Sequence, residues 1–369
     1  MNVKLLDLQA QYLPIRNEIR RAIDQICDEQ ALILGPAVER FEKSLAEYCQ
    51  TKHAIGVSSG TDALLCSLMA MGIKPGDEVI CPSFTFFATA GSVARLGAVP
   101  VFAEIDPRTF NLDPNRIEEK VTPRTKAIMP VHLFGQVANM EAVNEIAREA
   151  GVLVIEDAAQ AIGAQRNGKP ACSLGFAGCL SFYPTKNLGA FGDAGAICTN
   201  DDLFADRCRK LRVHGSGHTY HHEMVGGMFR LAAIQAAVLD VKLKYLNGWH
   251  EARRRNAAIY NKAFAGSKVV VPAIEKGNHS VYNQYVVRVP APPERDQVKH
   301  QLAERGVSTA IYYPIPLHQQ ECFGYLGHKE GDFPESERAC REVLALPVYP
   351  ELTAEQVKYV AKTVLEIVG

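Results

Sequence analysis

From about residue 40 to residue 200, short apolar runs alternate with amphipathic stretches. Phe41, Leu45, Tyr48 and Cys49 recur at the spacing of one helix face, as do Met140, Val143, Ile146, Ala147 and Ala150. Between such stretches lie runs that read as buried strands, at 54–57, 78–81, 127–131, 152–155 and 179–182. Apolar strands separated by helices predict an α/β layer with a mostly parallel sheet, because each parallel step needs a crossover. Lys74-Pro75-Gly76-Asp77 marks a turn ahead of the second strand. A long helical pattern then runs from 230 to 264, with a break expected near Asn247-Gly248. Beyond it, 280–289 alternates like a half-exposed strand, and Pro290-Ala291-Pro292-Pro293 precedes another helix. This change of texture predicts a large domain over 1–244 and a smaller α+β domain over 245–369.

Composition narrows the function. Of 369 residues, 47% are hydrophobic and 22% charged, as in a globular protein with a sizeable core. A net charge of −1 with no long basic run argues against nucleic acid as a partner. No long apolar stretch and no N-terminal apolar leader stand out, so neither membrane spanning nor secretion is expected. Ten cysteines without a CxxC pair predict reduced thiols of a cytoplasmic protein rather than a disulfide frame.

Two residues change the picture most. Lys186 lies in Ser181-Phe182-Tyr183-Pro184-Thr185-Lys186-Asn187-Leu188-Gly189, and Asp157 in Val154-Ile155-Glu156-Asp157-Ala158-Ala159-Gln160, each just past a strand-like run. Pyridoxal phosphate (PLP) chemistry needs an amine to carry the cofactor. It also needs a carboxylate that keeps the pyridine nitrogen protonated, so that the ring takes up electrons. Gln160 could donate to the ring oxygen. A solvated lysine and a helix-capping aspartate are the plain alternatives. The small residues Gly189-Ala190-Phe191-Gly192-Asp193-Ala194-Gly195 instead suggest close backbone approach beside Lys186.

Ser58-Ser59-Gly60-Thr61-Asp62-Ala63-Leu64 joins a strand to a helix. Its N–H groups and hydroxyls suit a phosphate, although capping alone also explains them. In the run 83–89, one of Phe84, Phe86 and Phe87 could stack on a flat ring, with the other two expected in the core. His214, His218, His221 and His222 cluster without the spacing of a metal site, so a polar loop is expected there and no metal. Neither a GxGxxG fingerprint nor a Walker loop is present.

In order and spacing these segments resemble the DegT/StrS family of PLP-dependent sugar aminotransferases, within fold type I. The resemblance spans essentially the whole chain. It begins at Leu5-Leu6-Asp7-Leu8-Gln9-Ala10-Gln11-Tyr12, continues through Gly35-Pro36-Ala37-Val38-Glu39-Arg40-Phe41-Glu42 and the segments above, and ends at Tyr313-Pro314-Ile315-Pro316-Leu317-His318. It implies a fold type I PLP-transferase: a large domain whose mostly parallel sheet is sandwiched by helices, plus the smaller C-terminal domain. It implies that Lys186 holds the cofactor, that Asp157 pairs with the pyridine nitrogen and that Gln160 pairs with the ring hydroxyl. Phe86 would stack on the ring, and the phosphate would sit among Gly60, Thr61, Asp62 and Ser181. Arg230, Tyr312, Tyr313, His318 and His214 would face substrate. A homodimer is implied, with the segment 226–231 reaching the partner's site.

The departures are specific. Met228 stands where asparagine is expected to reach the cofactor phosphate; methionine cannot donate a hydrogen bond, so that role is not carried over. Ala232 replaces an aspartate, and Tyr312 a histidine. The retained Lys186 disfavours the family's sugar dehydratases, which carry histidine there. The implied reaction moves an amino group from L-glutamate to a nucleotide-linked keto sugar, at C3 in preference to C4, for surface polysaccharide or lipid A. Arg212, Arg230 and Lys210 are candidates for the nucleotide diphosphate. The alternatives are a PLP-dependent sugar dehydratase and a non-catalytic sensor on the same scaffold.

Overall fold

The computed structural model describes residues 1–218 and 220–369. A seven-stranded sheet lies at its centre, in the order 53–57, 195–199, 177–181, 153–157, 125–128, 78–82, 99–103. Strand Gly195–Thr199 is antiparallel to both neighbours, and the remaining contacts between neighbours are parallel. Six strands therefore run one way. Their carboxyl ends, and the start of the reversed strand, meet along one edge of the sheet. In open α/β sheets that edge is where ligands bind.

Helices cover both faces. Pro36–Cys49, Met140–Ala150 and Ala233–Leu243 bury Phe41, Leu45, Val143 and Leu239 against one face. Gly60–Met71, Ala88–Ala94 and Asp202–Leu211 bury Leu64, Leu68, Val93 and Cys208 against the other. A second core gathers Tyr260, Tyr285, Val298, Leu344, Val357 and Val360. It lies between the antiparallel pair Tyr285–Arg288 and Val343–Leu346 and the helices Arg295–Glu304 and Ala354–Val368. Helix Leu246–Phe264 bridges the two cores, with Leu246 in the first and Tyr260 and Phe264 in the second. Val3 also packs in the second core: its N–H donates to Gly306 O and its carbonyl accepts from Ser308 N. Val3, expected in the large domain, therefore packs among C-terminal residues.

Other differences from expectation have local causes. The expected strand 127–131 is Thr125–Ile128, and Pro130, with no N–H to donate, follows it. Strands Val99–Ala103 and Gly195–Thr199 were not anticipated; Pro100 and a glycine-rich approach disguise them. The long helical pattern breaks at Lys244–Tyr245, and Asn247-Gly248 lie inside the second helix. Of 280–289, only Tyr285–Arg288 joins a ladder; the Val281 and Gln284 N–H groups go to Gly135 O and Phe134 O, and Arg253 bonds the carbonyls of Tyr282 and Asn283. All ten cysteines are free and eight are buried.

Candidate active site

At the strand ends lies a cavity of about 630 Å³. Ser59, Gly60, Thr61, Phe86, Asp157, Gln160, Ser181, Lys186, Tyr312 and Tyr313 all line it. Asp157 closes strand Leu153–Asp157. Its carboxylate accepts from the Thr89 hydroxyl at 2.8 Å and from Ala159 N at 3.2 Å. Burial pushes its pKa up, against the pull of those two donors, Lys186 and His132. A cationic ring nitrogen in the cavity would relieve that cost. Lys186 follows strand Ala177–Ser181 in a tight loop whose N–H donates to Tyr183 O. Burial lowers its pKa to about 8, although Asp157 pulls the other way. A useful fraction of its amine is therefore uncharged near neutral pH.

Gln160 is fixed by accepting from Phe134 N at 2.7 Å, and its Nε2 donates to the Tyr313 hydroxyl at 3.1 Å. Ser59 caps helix Gly60–Met71 by accepting from Asp62 N. The Gly60 and Thr61 N–H groups, in the first turn, have no acceptor within the helix and are available to an anion. A Cβ at residue 60 would lie 2.6 Å from Ser181 Cβ, so only glycine permits this approach. The wall therefore offers anion donors, an exposed aromatic ring, a buried carboxylate and a low-pKa amine, which fits PLP.

Several expected residues stand elsewhere. Asp62 does not line the cavity: its carboxylate turns back to accept from the Ser58 and Ser59 hydroxyls, at 2.7 and 2.9 Å, which keeps a negative charge off the anion site. His318 is buried behind the wall, with Nδ1 2.6 Å from Ser83 Oγ and Nε2 3.1 Å from Glu337 Oε1. It cannot touch substrate from there. Arg230 and His214 line a separate open recess with Ser216, His218 and His222. Arg212 is buried against Glu42 and the Gly56 carbonyl, and Lys210 pairs with Asp206 and Glu223, so neither is a free cation. Phe84 is core as expected. Phe87 is half-exposed and stacks on Phe323.

Sequence reasoning missed Thr89 and Tyr183. The only signal for Thr89 in the sequence is a hydroxyl four residues after Thr85. Tyr183 is an exposed aromatic on the cavity wall, and its one signal in the sequence is its place three residues before Lys186.

The chain is similar to known proteins over nearly its whole length. The model of the DegT/DnrJ/EryC1/StrS aminotransferase family matches residues 14–365. A pleiotropic regulatory protein of Geobacillus stearothermophilus is 50% identical, over 99% of this chain and 98% of its own length. The UDP-N-acetyl-3-dehydro-alpha-D-glucosamine 3-aminotransferase of Acidithiobacillus ferrooxidans is 42% identical, over 98% of this chain and 97% of its own. The crystal structure of S. venezuelae DesV in complex with a ketimine intermediate superposes with a TM-score of 0.96 at 41% identity, covering 99% of this chain and 98% of that one. The chain belongs to the DegT/DnrJ/EryC1/StrS aminotransferase family and is an aminotransferase.

Proposed function

We propose that this enzyme uses PLP held at Lys186 to move an amino group from L-glutamate to the C3 ketone of a nucleotide-linked sugar, making an amino sugar for surface polysaccharide or lipid A. The observation that carries the reading is the meeting of the Lys186 amine and the Asp157 carboxylate on one cavity wall. The C3 preference is supported by the relative named as a 3-aminotransferase.

PLP, when bound, supplies a ring that takes up the electrons released at the amino acid Cα. The protein does the rest. Gly60 N–H, Thr61 and Ser181 would hold the phosphate, and Phe86 would pack against the ring. Asp157 would keep the pyridine nitrogen protonated, and Thr89 and Ala159 N–H hold its carboxylate in place. Gln160, oriented by Phe134 N, would donate to the ring hydroxyl. Lys186 would carry the cofactor, and its amine, once free, would be the group on this wall that moves the substrate Cα proton. Tyr312 and Tyr313, which line the same cavity, would face the substrate.

The second copy of a homodimer completes each site, bringing Arg230 and His214 from the open recess to the nucleotide sugar. Exposed Ile33, Phe86, Tyr183 and Met228 support such a contact. Ten free thiols suit a reducing cytoplasm. Among the described residues, no helix is long and apolar enough to cross a membrane. The meeting of Lys186, Asp157 and Gln160 at one cavity supports catalysis over a non-catalytic sensor.

The test is to incubate the protein with PLP, glutamate and a panel of nucleotide keto sugars, and to identify products by mass spectrometry and the aminated carbon by NMR. A 3-amino sugar formed together with 2-oxoglutarate is expected. Amination at C4, or dehydration without an amino donor, would overturn the assignment. A cofactor absorbance that no amino acid bleaches would favour the sensor.

A further inference from the structure

Lys242 is a buried cation that the reaction does not use. It lies on helix Ala233–Leu243 and is only 4% exposed. Among the described residues, no carboxylate comes close enough to pair with it, and Glu351 acts on it only from a distance. Burying an ammonium is costly unless its N–H groups are bonded. Here Nζ donates to Gly189 O and lies 5.9 Å from the ring centroids of both Phe191 and Trp249. Two turns earlier on the same helix face, Gln235 grips the next residues. Its Oε1 accepts from Phe191 N at 2.8 Å and its Nε2 donates to Phe191 O at 3.2 Å.

One helix face thus holds three backbone polar atoms of the segment just beyond Lys186. That segment is already folded back on itself. A Cβ at residue 189 would lie 2.2 Å from Pro184 O, and Ala190 N donates to Phe182 O. Behind it is a recess of about 120 Å³ lined by Tyr12, Pro184, Ala190, Phe191 and Lys242. Without the grip, the loop has room to sink there and draw Lys186 away from the cavity.

We propose that Lys242 and Gln235 are positioning residues that clamp the backbone of 189–191 and so hold the Lys186 amine at the cavity wall. The proposal rests on the reading that Lys186 carries the cofactor. Nζ is a compact donor that reaches one carbonyl, a task neither methionine nor a planar guanidinium performs equally.

The test compares PLP-loaded parent, Lys242→Met, Lys242→Arg and Gln235→Ala. Two quantities are read: amide hydrogen exchange, and the pH midpoint of the cofactor's visible absorbance. In Lys242→Met, exchange at 189–191 should rise about tenfold while 53–57 and 285–288 keep parental rates. The midpoint should move by roughly half a pH unit, with partial rescue by Lys242→Arg. Parental exchange at 189–191 with a parental midpoint overturns the clamp. If Lys242→Met loosens the whole fold, Gln235→Ala decides: faster exchange confined to 189–191 upholds the proposal, and unchanged or uniform exchange overturns it. Borohydride trapping in the parent separates the two ideas. No cofactor fixed at Lys186 would defeat the cofactor reading, while the exchange result still judges the clamp.

Discussion

The wall that carries Asp157 and Lys186 and the recess that carries His214 and Arg230 are built in opposite ways. The wall hangs on the ends of paired strands, and its polar side chains are fixed: Asp157 by Thr89 and Ala159 N, Gln160 by Phe134 N and Tyr313. The recess is lined by the hairpin Ser216–His218 and His221–His222, whose register is irregular, and nearby Tyr220 and Val225 stand exposed. No carboxylate among the described residues pairs with Arg230. Bond-making chemistry tolerates little misplacement, so a strand-anchored wall suits it. Gripping a large polar substrate needs reach and charge, which an open surface provides once something closes over it.

That contrast can be broken most directly at the wall. Lys186→Ala should retain the phosphate contacts yet lower turnover by about 10³-fold, since the variant lacks the proton carrier. Single-turnover bleaching of the cofactor by glutamate measures this, and near-parental rates would reject the role. Asp157→Asn should cost about 10²-fold by removing the carboxylate that keeps the ring nitrogen charged. It should also move a second quantity in a fixed direction. Asp157 holds the Lys186 pKa up, and burial holds it down to about 8. Without that anion the pKa falls further, so labelling of Lys186 by an amine-reactive reagent in the cofactor-free chain should reach half its plateau at lower pH than in the parent. A midpoint that rises or stays would mean the two groups do not sense each other.

At the recess the effect should be smaller and differently distributed. Arg230→Ala is expected to raise KM for the nucleotide sugar about tenfold and leave the glutamate half-reaction unchanged, as for a lost contact to a phosphate. An equal loss in both half-reactions would place Arg230 in the bond-making machinery and erase the distinction.

The same division explains what could be read from the sequence. Lys186, Asp157 and Gln160 follow apolar runs at short, fixed offsets, so strand periodicity delivers them to one edge. The two strands that were missed carry Pro100 or follow the glycine-rich approach to Gly195, where local signals contradict the ladder. His318, Asp62 and Arg212 were misplaced for another reason. Each is polar and near a motif, but each spends its polar atoms inside the protein, on Ser83 and Glu337, on Ser58 and Ser59, and on Glu42. Residue type and spacing do not say which way a side chain turns. Lys242 escaped notice because one lysine in a helical pattern looks like any solvated one until its burial is known.

The smallest effect separates stability from binding within the wall itself. Ser59 and Thr61 flank the same glycine, and the cap and the proposed anion site would fall on different atoms of that segment. Ser59 Oγ accepts from Asp62 N at 3.0 Å, an ordinary cap. Ser59→Ala should therefore lower the stability of the cofactor-free chain by about 1 kcal/mol in urea unfolding. Asp62 still has Ser58, at 2.7 Å, so the carboxylate stays turned from the cavity. Thr61 lines the cavity and plays no part in the cap, so Thr61→Val should leave the urea midpoint in place and weaken PLP binding several-fold, for one lost hydroxyl donor. Crossed outcomes, with Ser59→Ala weakening PLP and Thr61→Val weakening the fold, would show that the serine faces the phosphate and that the cap geometry is rebuilt when the cofactor binds.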